Sequence, residues 1–503
     1  MIRTEDREMF YQAMLSRDSR FDGLFFAGVT TTGVYCRPIC PAPKPKIKNV
    51  VFYSTSAGAE NDGFRPCKRC RPDASPGTPA WSGTSATVSQ ALQLINSGYL
   101  DEHPVEQLGA VLGVSDRQLR RLFKTHLGAS PYAVALTRRL DFARKLIDET
   151  HLAMTDIAFA SGFESIRRFN DAVKKRFGES PSELRKAVQK TKTSNGIKNR
   201  MVLYLPFRPP LDWWSLLNYL KARQINSVEV IDKDRYCRSF RIAGNPGNRE
   251  EVEEHGVFMV TPAEKTSHLV LRLQINGTFG LMNIVHRVRR LFDLEADPMF
   301  ISGYLKKDPG LLPILSLFPG LRLPGGWDNF EIAVRAIIGQ QVSIRAANTI
   351  TARLLQRHGT PIDHSFIPGV THLFPTPRTL ASADLTGIGL PGKRAGAIRV
   401  LAAKAANREI VLEGMMNTKT VKNDLMKIPG IGAWTVEYIA MRALREPDAF
   451  PAADLALKQQ LQEISRHEVP GRGMNRPDIW RPWRAYAAMY LWRNHVNKNN
   501  PSY

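Results

Sequence analysis

Four of the five cysteines of this chain lie between residues 36 and 70, in two close pairs. Three residues separate Cys36 from Cys40, and two separate Cys67 from Cys70. Such spacing lets two sulfurs from one tight turn reach the same ion, and four thiolates at ~2.3 Å complete a tetrahedral zinc site. A segment this short buries little core by itself. We therefore expect residues 1–78 to fold around one zinc ion, and on spacing alone that ion could be purely structural.

The net charge of +23 is the second constraint. Residues 1–200 hold 31 basic and 20 acidic side chains, and the remainder holds 39 and 27. Because the excess is shared by both halves rather than confined to a tail, it favours a polyanionic partner bound by folded surfaces. The alternative is a solvated basic surface that only keeps the protein soluble.

The sequence gives no sign of export or of membrane insertion. The segment from Met1 to Phe10 is charged, which is unlike a signal peptide. No run approaches the ~18 apolar residues that span a bilayer. Five cysteines among 503 residues are not a disulfide scaffold. We therefore expect a reducing, cytoplasmic location.

A repeated unit occupies residues 85–188. The segment LGASP at 127–131 recurs as FGESP at 177–181. Upstream of each copy lie a short helical pattern, a glycine turn and a second helix that begins at Ser115 or Ser165, which are suitable N-caps. This order predicts two helix-turn-helix units. Their second helices are basic and are expected to enter the major groove; the basic residues are Arg117, Arg120, Arg121 and Lys124, then Arg167, Arg168, Lys174, Lys175 and Arg176. The alternative is a plain helical bundle with solvated charges.

The amino-acid sequences of these segments resemble those of known families. TTGVYCRPIC at 31–40 and GFRPCKRC at 63–70 resemble the N-terminal domain of the Ada adaptive-response family. That resemblance implies that the four cysteines hold zinc and that Cys36 accepts a methyl group from a methylphosphotriester in DNA. The site charge would change from −2 to −1, so DNA affinity should rise. Residues 85–188 resemble the AraC-type DNA-binding domain, whose two units are joined by a long helix, here placed at Thr137 to Glu149.

The segment 189–200 is polar and basic without an apolar period, and we interpret it as a linker. Members of the Ada family usually continue from such a linker into a guanine-specific methyltransferase with a Pro-Cys-His-Arg motif. This chain has no such motif. Its one later cysteine, Cys237, is expected to be a small buried residue.

In the second half of the chain, the predicted secondary structure changes near residue 300. Residues 201–300 mix strand-like runs, such as Met201 to Leu205 and Ser227 to Ile231, with helical stretches. Beyond them the chain is helical, and PGIG at 429–432 predicts a hairpin between two helices. The amides near Gly430 and Gly432, at the start of the next helix, can hold a DNA phosphate. A hairpin alone could equally belong to a simple binding module.

The hairpin, the helix expected to follow it from Trp434 to Arg445, and FPAADLALK at 450–458 together resemble the helix-hairpin-helix glycosylases, and above all the bacterial 3-methyladenine DNA glycosylase II family. LRLPG at 321–325, IGQQVS at 338–343 and RPWRAY at 481–486 extend that resemblance. It implies hydrolysis of the N-glycosidic bond of an alkylated base that has been flipped out of the helix.

By position, the resemblance implies that Asp454 is the catalytic carboxylate and that Trp434, Tyr438 and Trp492 line the base pocket. Trp434 occupies the position of the Schiff-base lysine of the lyase members, so strand cleavage is not expected. Gln341 stands where the family has a leucine wedge, which leaves the intercalating residue open. No four-cysteine cluster follows the domain, so no iron–sulfur cluster is expected.

These patterns predict a multidomain α+β protein, with a small zinc domain (1–78), an all-α double helix-turn-helix domain (85–188), a linker (189–200), a small α/β sheet subdomain (201–300) and an all-α helix-hairpin-helix glycosylase domain (301–495). The expected function is alkylation repair with methylation-responsive transcription regulation. The expected partner is double-stranded DNA, both damaged DNA and promoter sites. RNA polymerase is a candidate partner, and we expect a monomer associated with the nucleoid. The alternative is a transcription regulator whose glycosylase-like domain only binds DNA.

Overall fold

A computed structural model describes most of the chain. The described residues are 6–17, 21–22, 24–72, 86–189, 200–242, 254–264, 266–275, 277–278, 280–362, 366–412, 418–465 and 476–499. The linker expected at 189–200 therefore falls almost wholly outside them. Among these residues, no helix combines the length and the apolar character needed to cross a membrane.

Two compact units divide the chain. The first comprises residues 1–209, 242–255 and 263–289, and the second comprises 210–241, 256–262 and 290–503.

The first unit begins with a small sheet that carries the cysteines. Its elements are α1 (Asp6–Ser16), β1 (Phe26–Val29), β2 (Val34–Cys36), β3 (Val50–Tyr53), α2 (Ser56–Asn61) and β4 (Arg65–Pro66). The strand order is β3-β1-β2-β4, with β1 antiparallel to both neighbours and β2 parallel to β4. Aromatic side chains pack on one side of this sheet, where Phe10 and Phe52 both contact the fully buried Phe25.

The next segment is entirely helical. It comprises α3 (Ala86–Ser97), α4 (Tyr99–Glu102), α5 (Val105–Val111), α6 (Asp116–Leu127), α7 (Pro131–Glu149), α8 (Met154–Ala160), α9 (Ile166–Phe177) and α10 (Pro181–Gln189). Both expected N-caps are confirmed, because the Ser115 hydroxyl accepts from the Gln118 amide at 3.2 Å and the Ser165 hydroxyl accepts from the Arg168 amide at 3.2 Å. Gly128 and Gly178 end α6 and α9 with positive φ, the left-handed conformation that glycine adopts without strain.

Residues 200–291 combine strands and two helices. They form β5 (Arg200–Pro206), α11 (Trp213–Ala222), β6 (Glu229–Asp232), β7 (Arg235–Ile242), β8 (Glu254–Pro262), β9 (His268–Ile275) and α12 (Leu281–Leu291). In the first unit β5 pairs antiparallel with β9 over seven residues. In the second, β6 pairs antiparallel with β7, and β8 lies on the other side of β7.

The remainder of the second unit is almost wholly helical. Its elements are α13 (Pro298–Leu305), α14 (Leu312–Leu317), α15 (Asn329–Ile338), α16 (Ile344–His358), β10 (Thr360–Pro361), β11 (His372–Leu373), α17 (Pro377–Ala381), α18 (Gly392–Ala406), α19 (Thr418–Met426), α20 (Ala433–Arg442), α21 (Leu455–Ser465), α22 (Arg476–Ile479) and α23 (Arg484–Asn499). Every residue of helix α15 except Arg335 is buried, and the helix is the centre of the core that α18 and α20 enclose. The mixed α+β class expected from the sequence is confirmed.

Candidate functional site

The four cysteines of the first unit converge on one point. Cys36 ends β2, Cys67 directly follows β4, and the Cys67 amide donates to the Tyr35 carbonyl at 3.0 Å. This parallel pairing brings the two cysteine pairs together, so that all four sulfurs are buried and lie within 4.8 Å of one another. Four ligands at ~2.3 Å from a tetrahedral ion are separated by just under 4 Å. The site therefore fits one zinc ion, as the spacing predicted.

A buried ion pair lies beside the cysteines. The Arg37 amide donates to the Cys70 sulfur at 3.3 Å, and its guanidinium donates to the Cys70 carbonyl at 3.2 Å. The same guanidinium donates to Asp22 at 2.8 Å. The Asp22 carboxylate offsets the charge of the guanidinium, so it is the backbone N–H of Arg37 that directly stabilises negative charge on the Cys70 sulfur.

The basic residues of the two second helices are mostly on the surface. Arg117, Arg120 and Arg121 of α6 are exposed, as are Arg167 and Arg168 of α9. The buried face of α6 consists of Leu119, Phe123 and Leu127, which lie at helical spacing. Arg120 pairs with Asp116 at 2.8 Å and Arg168 pairs with Glu164 at 3.0 Å, but exposed pairs of this kind are weak and can give way to a phosphate or a base edge.

Arg176 is an exception, and the expectation that it lies on the DNA-facing surface is wrong. It is 6% exposed. The physical reason is its position in the helix. Arg176 follows Phe169 by seven residues and Val173 by three, so it shares the face that packs on the core.

In the second unit, the expected hairpin joins α19 to α20. Gly430 has a φ of 91°, and Gly432 precedes the first residue of α20. The turn between α15 and α16 lies against it, because the Gln340 amide group donates to the Gly430 carbonyl at 2.9 Å and to the Thr435 hydroxyl at 2.8 Å. Gln341 in that turn is exposed and has a φ of 52°. The sequence did not identify Gln340, whose partners are about 90 residues away.

Asp454 lies at the start of α21 and faces two indole rings. Its Oδ1 accepts from the Leu457 amide at 3.2 Å and from the Trp492 indole at 3.0 Å, and its Oδ2 accepts from the Trp434 indole at 3.3 Å. The carboxylate thus caps the N-terminus of α21 and is also held by two aromatic side chains. Three N–H donors therefore fix the orientation of one carboxylate, a group whose oxygens only accept when it is ionised.

The rings themselves form part of the wall of a cavity of about 460 Å³. Trp434 stacks on Tyr438 with ring centroids 5.3 Å apart, and Trp492 lies 6.4 Å from Tyr438. Asp454 also lines this cavity. The structure therefore brings together the four residues that the resemblance assigned to the pocket. Among the described residues that line it there is no lysine.

One side of the cavity is polar, a feature that no sequence motif indicated. The Arg442 guanidinium donates to the Tyr219 hydroxyl at 2.7 Å and to the Tyr438 hydroxyl at 3.0 Å. Burial alone would raise the pKa of Tyr438, but Arg442, Arg223 and the Tyr219 hydroxyl outweigh burial and lower that pKa to about 7. Burial raises the pKa of Tyr219 to about 12. Tyr219 belongs to α11, more than 200 residues from Arg442, so no local pattern could have placed it here.

Four family models match the chain. They are the metal-binding domain of Ada over residues 9–73, a helix-turn-helix domain over 108–187, the AlkA N-terminal domain over 202–328, and the HhH-GPD superfamily base excision DNA repair protein over 334–485. Fold and site thus define a DNA-binding base-excision repair enzyme with an Ada-type zinc domain.

The relatives fall into whole-length and partial matches. A protein of Mycobacterium tuberculosis (strain ATCC 25618 / H37Rv), "Probable bifunctional transcriptional activator/DNA repair enzyme AlkA", is 40% identical over 489 residues, which cover 97% of this chain and 96% of the relative. DNA-3-methyladenine glycosylase 2 of Escherichia coli (strain K12) is 33% identical and covers 57% of this chain and 95% of its own length. The bifunctional enzyme Ada of the same strain is 37% identical over 26% of this chain and 35% of its own length. The chain belongs to the family of bifunctional transcriptional activators and DNA repair enzymes of the AlkA type.

Proposed function

We propose that the second unit excises alkylated bases from DNA by hydrolysis of the N-glycosidic bond and leaves an intact strand with an abasic site. The observation that carries this proposal is a carboxylate, held by two indole donors, at the wall of a cavity formed by three aromatic rings. Alkylation gives a purine a positive charge and makes it a better leaving group. Such a base needs a π-rich pocket and an anion more than it needs a strong acid.

In this proposal Asp454 stabilises the positive charge that develops on the sugar as the bond breaks, and it orients the attacking water. Trp434 and Trp492 hold the carboxylate through their indole groups and also supply faces for the flipped base. Their hydrogen bonds fix the carboxylate before the substrate arrives, so little reorganisation is needed in the transition state.

Replacement of the carboxylate tests this role. Asp454→Asn keeps the shape of the side chain but loses its charge, a contribution typically worth several kcal/mol in the transition state. We expect base release to fall by at least about a hundredfold while affinity for damaged DNA stays close to that of the wild type. Glu463→Gln is a matched control, because Glu463 lies on the same helix α21 and does not line the cavity. Normal turnover by purified Asp454→Asn would remove Asp454 from the mechanism.

We propose that the first unit repairs methylphosphotriesters at Cys36. In the reaction the Cys36 sulfur forms a bond to the methyl carbon, the methyl–oxygen bond breaks, and the phosphate keeps the electron pair as an ordinary phosphodiester. A zinc ion bound by Cys36, Cys40, Cys67 and Cys70 would keep the sulfurs deprotonated at neutral pH. The Arg37 amide, which donates to the Cys70 sulfur, further stabilises negative charge at that sulfur. The product is a thioether, so each protein molecule reacts once.

Mass spectrometry tests this assignment. Incubation with methylphosphotriester DNA should add one methyl group, about 14 Da, to Cys36 and to no other cysteine. Cys237 is an internal control, because it is buried among Val257, Ile367 and Val370 in the other unit. Methyl on a different cysteine of the cluster would reassign the acceptor, and no uptake by any of them would make the zinc site purely structural.

We also propose that methylated protein activates transcription at a specific promoter through α6 and α9, with RNA polymerase as the protein partner. The protein would act as a monomer in the cytoplasm at the nucleoid. The exposed arginines of the two second helices support DNA contact. The competing possibility, a regulator whose glycosylase fold only binds DNA, predicts no base release in the same excision assay.

A further inference from the structure

We propose that Arg176 is a positioning residue that fixes the methyl-acceptor strand β2 relative to recognition helix α9, and that this link is required for the full rise in DNA affinity on methylation of Cys36. The inference rests on the proposed methyl transfer at Cys36. To that proposal it adds a residue of the helix-turn-helix segment. This residue is not one of the four cysteines, and because it is buried it is not a DNA contact.

The Arg176 guanidinium joins two segments of the first unit. On the helix-turn-helix side it donates to the Thr137 carbonyl at 2.9 Å and to Asp141 at 2.7 Å, both on α7. On the zinc-domain side it pairs with Glu60 at 2.7 Å and donates to the Tyr35 hydroxyl at 3.2 Å. A buried guanidinium that loses such partners is costly, so these contacts hold the two segments in one arrangement.

Tyr35 connects this cluster to the methyl acceptor. It directly precedes Cys36 in β2 and is fully buried, and its hydroxyl donates to Glu60 at 2.6 Å. Its carbonyl accepts from the Cys67 amide at 3.0 Å. The backbone of Tyr35 therefore lies between two of the zinc-binding cysteines, while its side chain ends at Arg176. One residue thus spans the distance from the cysteine cluster to α9.

The first recognition helix is docked on the same domain. The Thr55 hydroxyl donates to the Leu127 carbonyl, at the end of α6, at 2.9 Å. Gly58 lies so close that a Cβ atom there would approach the Leu127 carbonyl oxygen to 2.9 Å. The C-terminal ends of both α6 and α9 are therefore held against the domain that carries Cys36.

The rigid link matters because the signal is a change of one charge. The energy between a charge and a phosphate falls with distance, and salt screens it beyond about 8 to 10 Å. A zinc domain that swings freely would place Cys36 at variable distances from the duplex held by α6 and α9. The charge change would then hardly alter affinity. Arg176 at α9, together with the contacts of Thr55 at α6, keeps the acceptor at one distance from that duplex.

The test compares the promoter affinity of the full-length protein before and after methylation. The variants are Arg176→Gln, and Glu60→Gln, which keeps the Arg176–Asp141 pair and therefore perturbs the helix-turn-helix segment less. The control is Arg139→Gln, because Arg139 pairs with Asp101 at 2.8 Å within the helix-turn-helix segment. Mass spectrometry of Cys36 and thermal unfolding accompany each measurement. Arg176→Lys, which keeps the charge, should restore part of the effect.

We expect every variant to take up one methyl group. The gain in affinity, roughly two- to twentyfold for the wild type and the control, should be clearly smaller in Arg176→Gln and Glu60→Gln, in which the contact of Thr55 with α6 remains. A merely structural role would lower both affinities together and leave their ratio unchanged. Variants that fold, accept methyl and keep the full gain would overturn the inference alone. A wild type that accepts methyl without any gain would overturn the proposed switch itself, and the inference with it.

Discussion

At the residue scale, the polar side of the base cavity has a measurable signature. Burial raises the pKa of Tyr438, but Arg442 and Arg223 outweigh it and lower that pKa to about 7, whereas an unfolded tyrosine ionises near pH 10. The charged form is therefore favoured by folding. Its stabilising contribution is lost as pH falls through 7 and is complete above pH 10. Ultraviolet difference absorption should show one phenol ionising near neutral pH, and unfolding free energy should rise between pH 7 and 10.

Two variants assign that transition. Tyr438→Phe should remove the phenolate absorption near neutral pH, because the stacked ring remains but the hydroxyl is gone. Tyr132→Phe, at an exposed position of α7, should keep it. If the transition survives in Tyr438→Phe, the ionising group near neutral pH is not Tyr438.

Trp434 determines what product we expect. A lyase needs an amine that forms a Schiff base with the sugar, and the described residues that line the cavity include no lysine. The reaction should therefore end at an abasic site in an intact strand. Borohydride treatment during turnover should leave no covalent protein–DNA adduct. Trapping of such an adduct would show that an amine outside the described cavity wall reaches the sugar.

Individual residues could be predicted from sequence only where a motif carries them. The family resemblance that those motifs carry implied that Asp454, Trp434, Tyr438 and Trp492 share one site, and all four line the same cavity. Tyr219 and Gln340 were missed because each reaches its partner through the tertiary fold rather than along one helix. Arg176 could have been recognised, since its spacing from Val173 puts it on the buried face of α9.

At the element scale, the presence of a helix was easier to predict from the sequence than the residues at which the helix begins and ends. The joining helix expected from Thr137 begins instead at Pro131, because Ser130 caps it and proline suits the first helical position. The helix expected to run from Trp434 to Arg445 ends at Arg442. Arg445 has a φ of 60°, which breaks the helical run, and its charge is paired with Asp293. Both departures have local causes that the apolar pattern does not encode.

The hairpin between α19 and α20 gives the prediction at this scale. Gly430→Ala forces an L-residue to a φ of 91°, at a cost of about 1–2 kcal/mol. We expect lower stability and weaker binding of damaged DNA, because the amides that are proposed to hold a phosphate would shift. Gly396→Ala is the matched control. Gly396 lies within α18, and a Cβ atom added there would have no atom within 4 Å. This change should therefore raise the free energy of unfolding by roughly 0.5–1 kcal/mol. Equal effects of the two changes would show that the hairpin does not depend on its left-handed glycine.

At the scale of the whole molecule, two repair chemistries share a chain with a net charge of +23. Both proposed chemistries place charge at the centre of the mechanism. In the pocket, the Asp454 carboxylate would stabilise a sugar that becomes cationic. At the zinc site, methylation of Cys36 would reduce the negative charge of the site by one. Because so basic a chain binds DNA largely through phosphates, its affinity for any DNA should fall steeply with salt. A methylation signal must be detected above that background.

The salt dependence of the switch therefore tests it most sharply. Methylation of Cys36 changes the site from −2 to −1, and one unit charge ~10 Å from a phosphate contributes roughly 0.4–1.7 kcal/mol at effective dielectrics of 80 to 20. That range corresponds to about a two- to twentyfold gain in promoter affinity. The gain should shrink as salt reduces the Debye length to about 3 Å near 1 M. The measurement is a titration of the wild type against promoter DNA at low and high salt, before and after methylation, with protein incubated with unmethylated DNA as the control. A gain that is independent of salt would point to a structural change rather than to charge. Equal affinities at low salt would exclude the charge switch, although Cys36 could still be the acceptor.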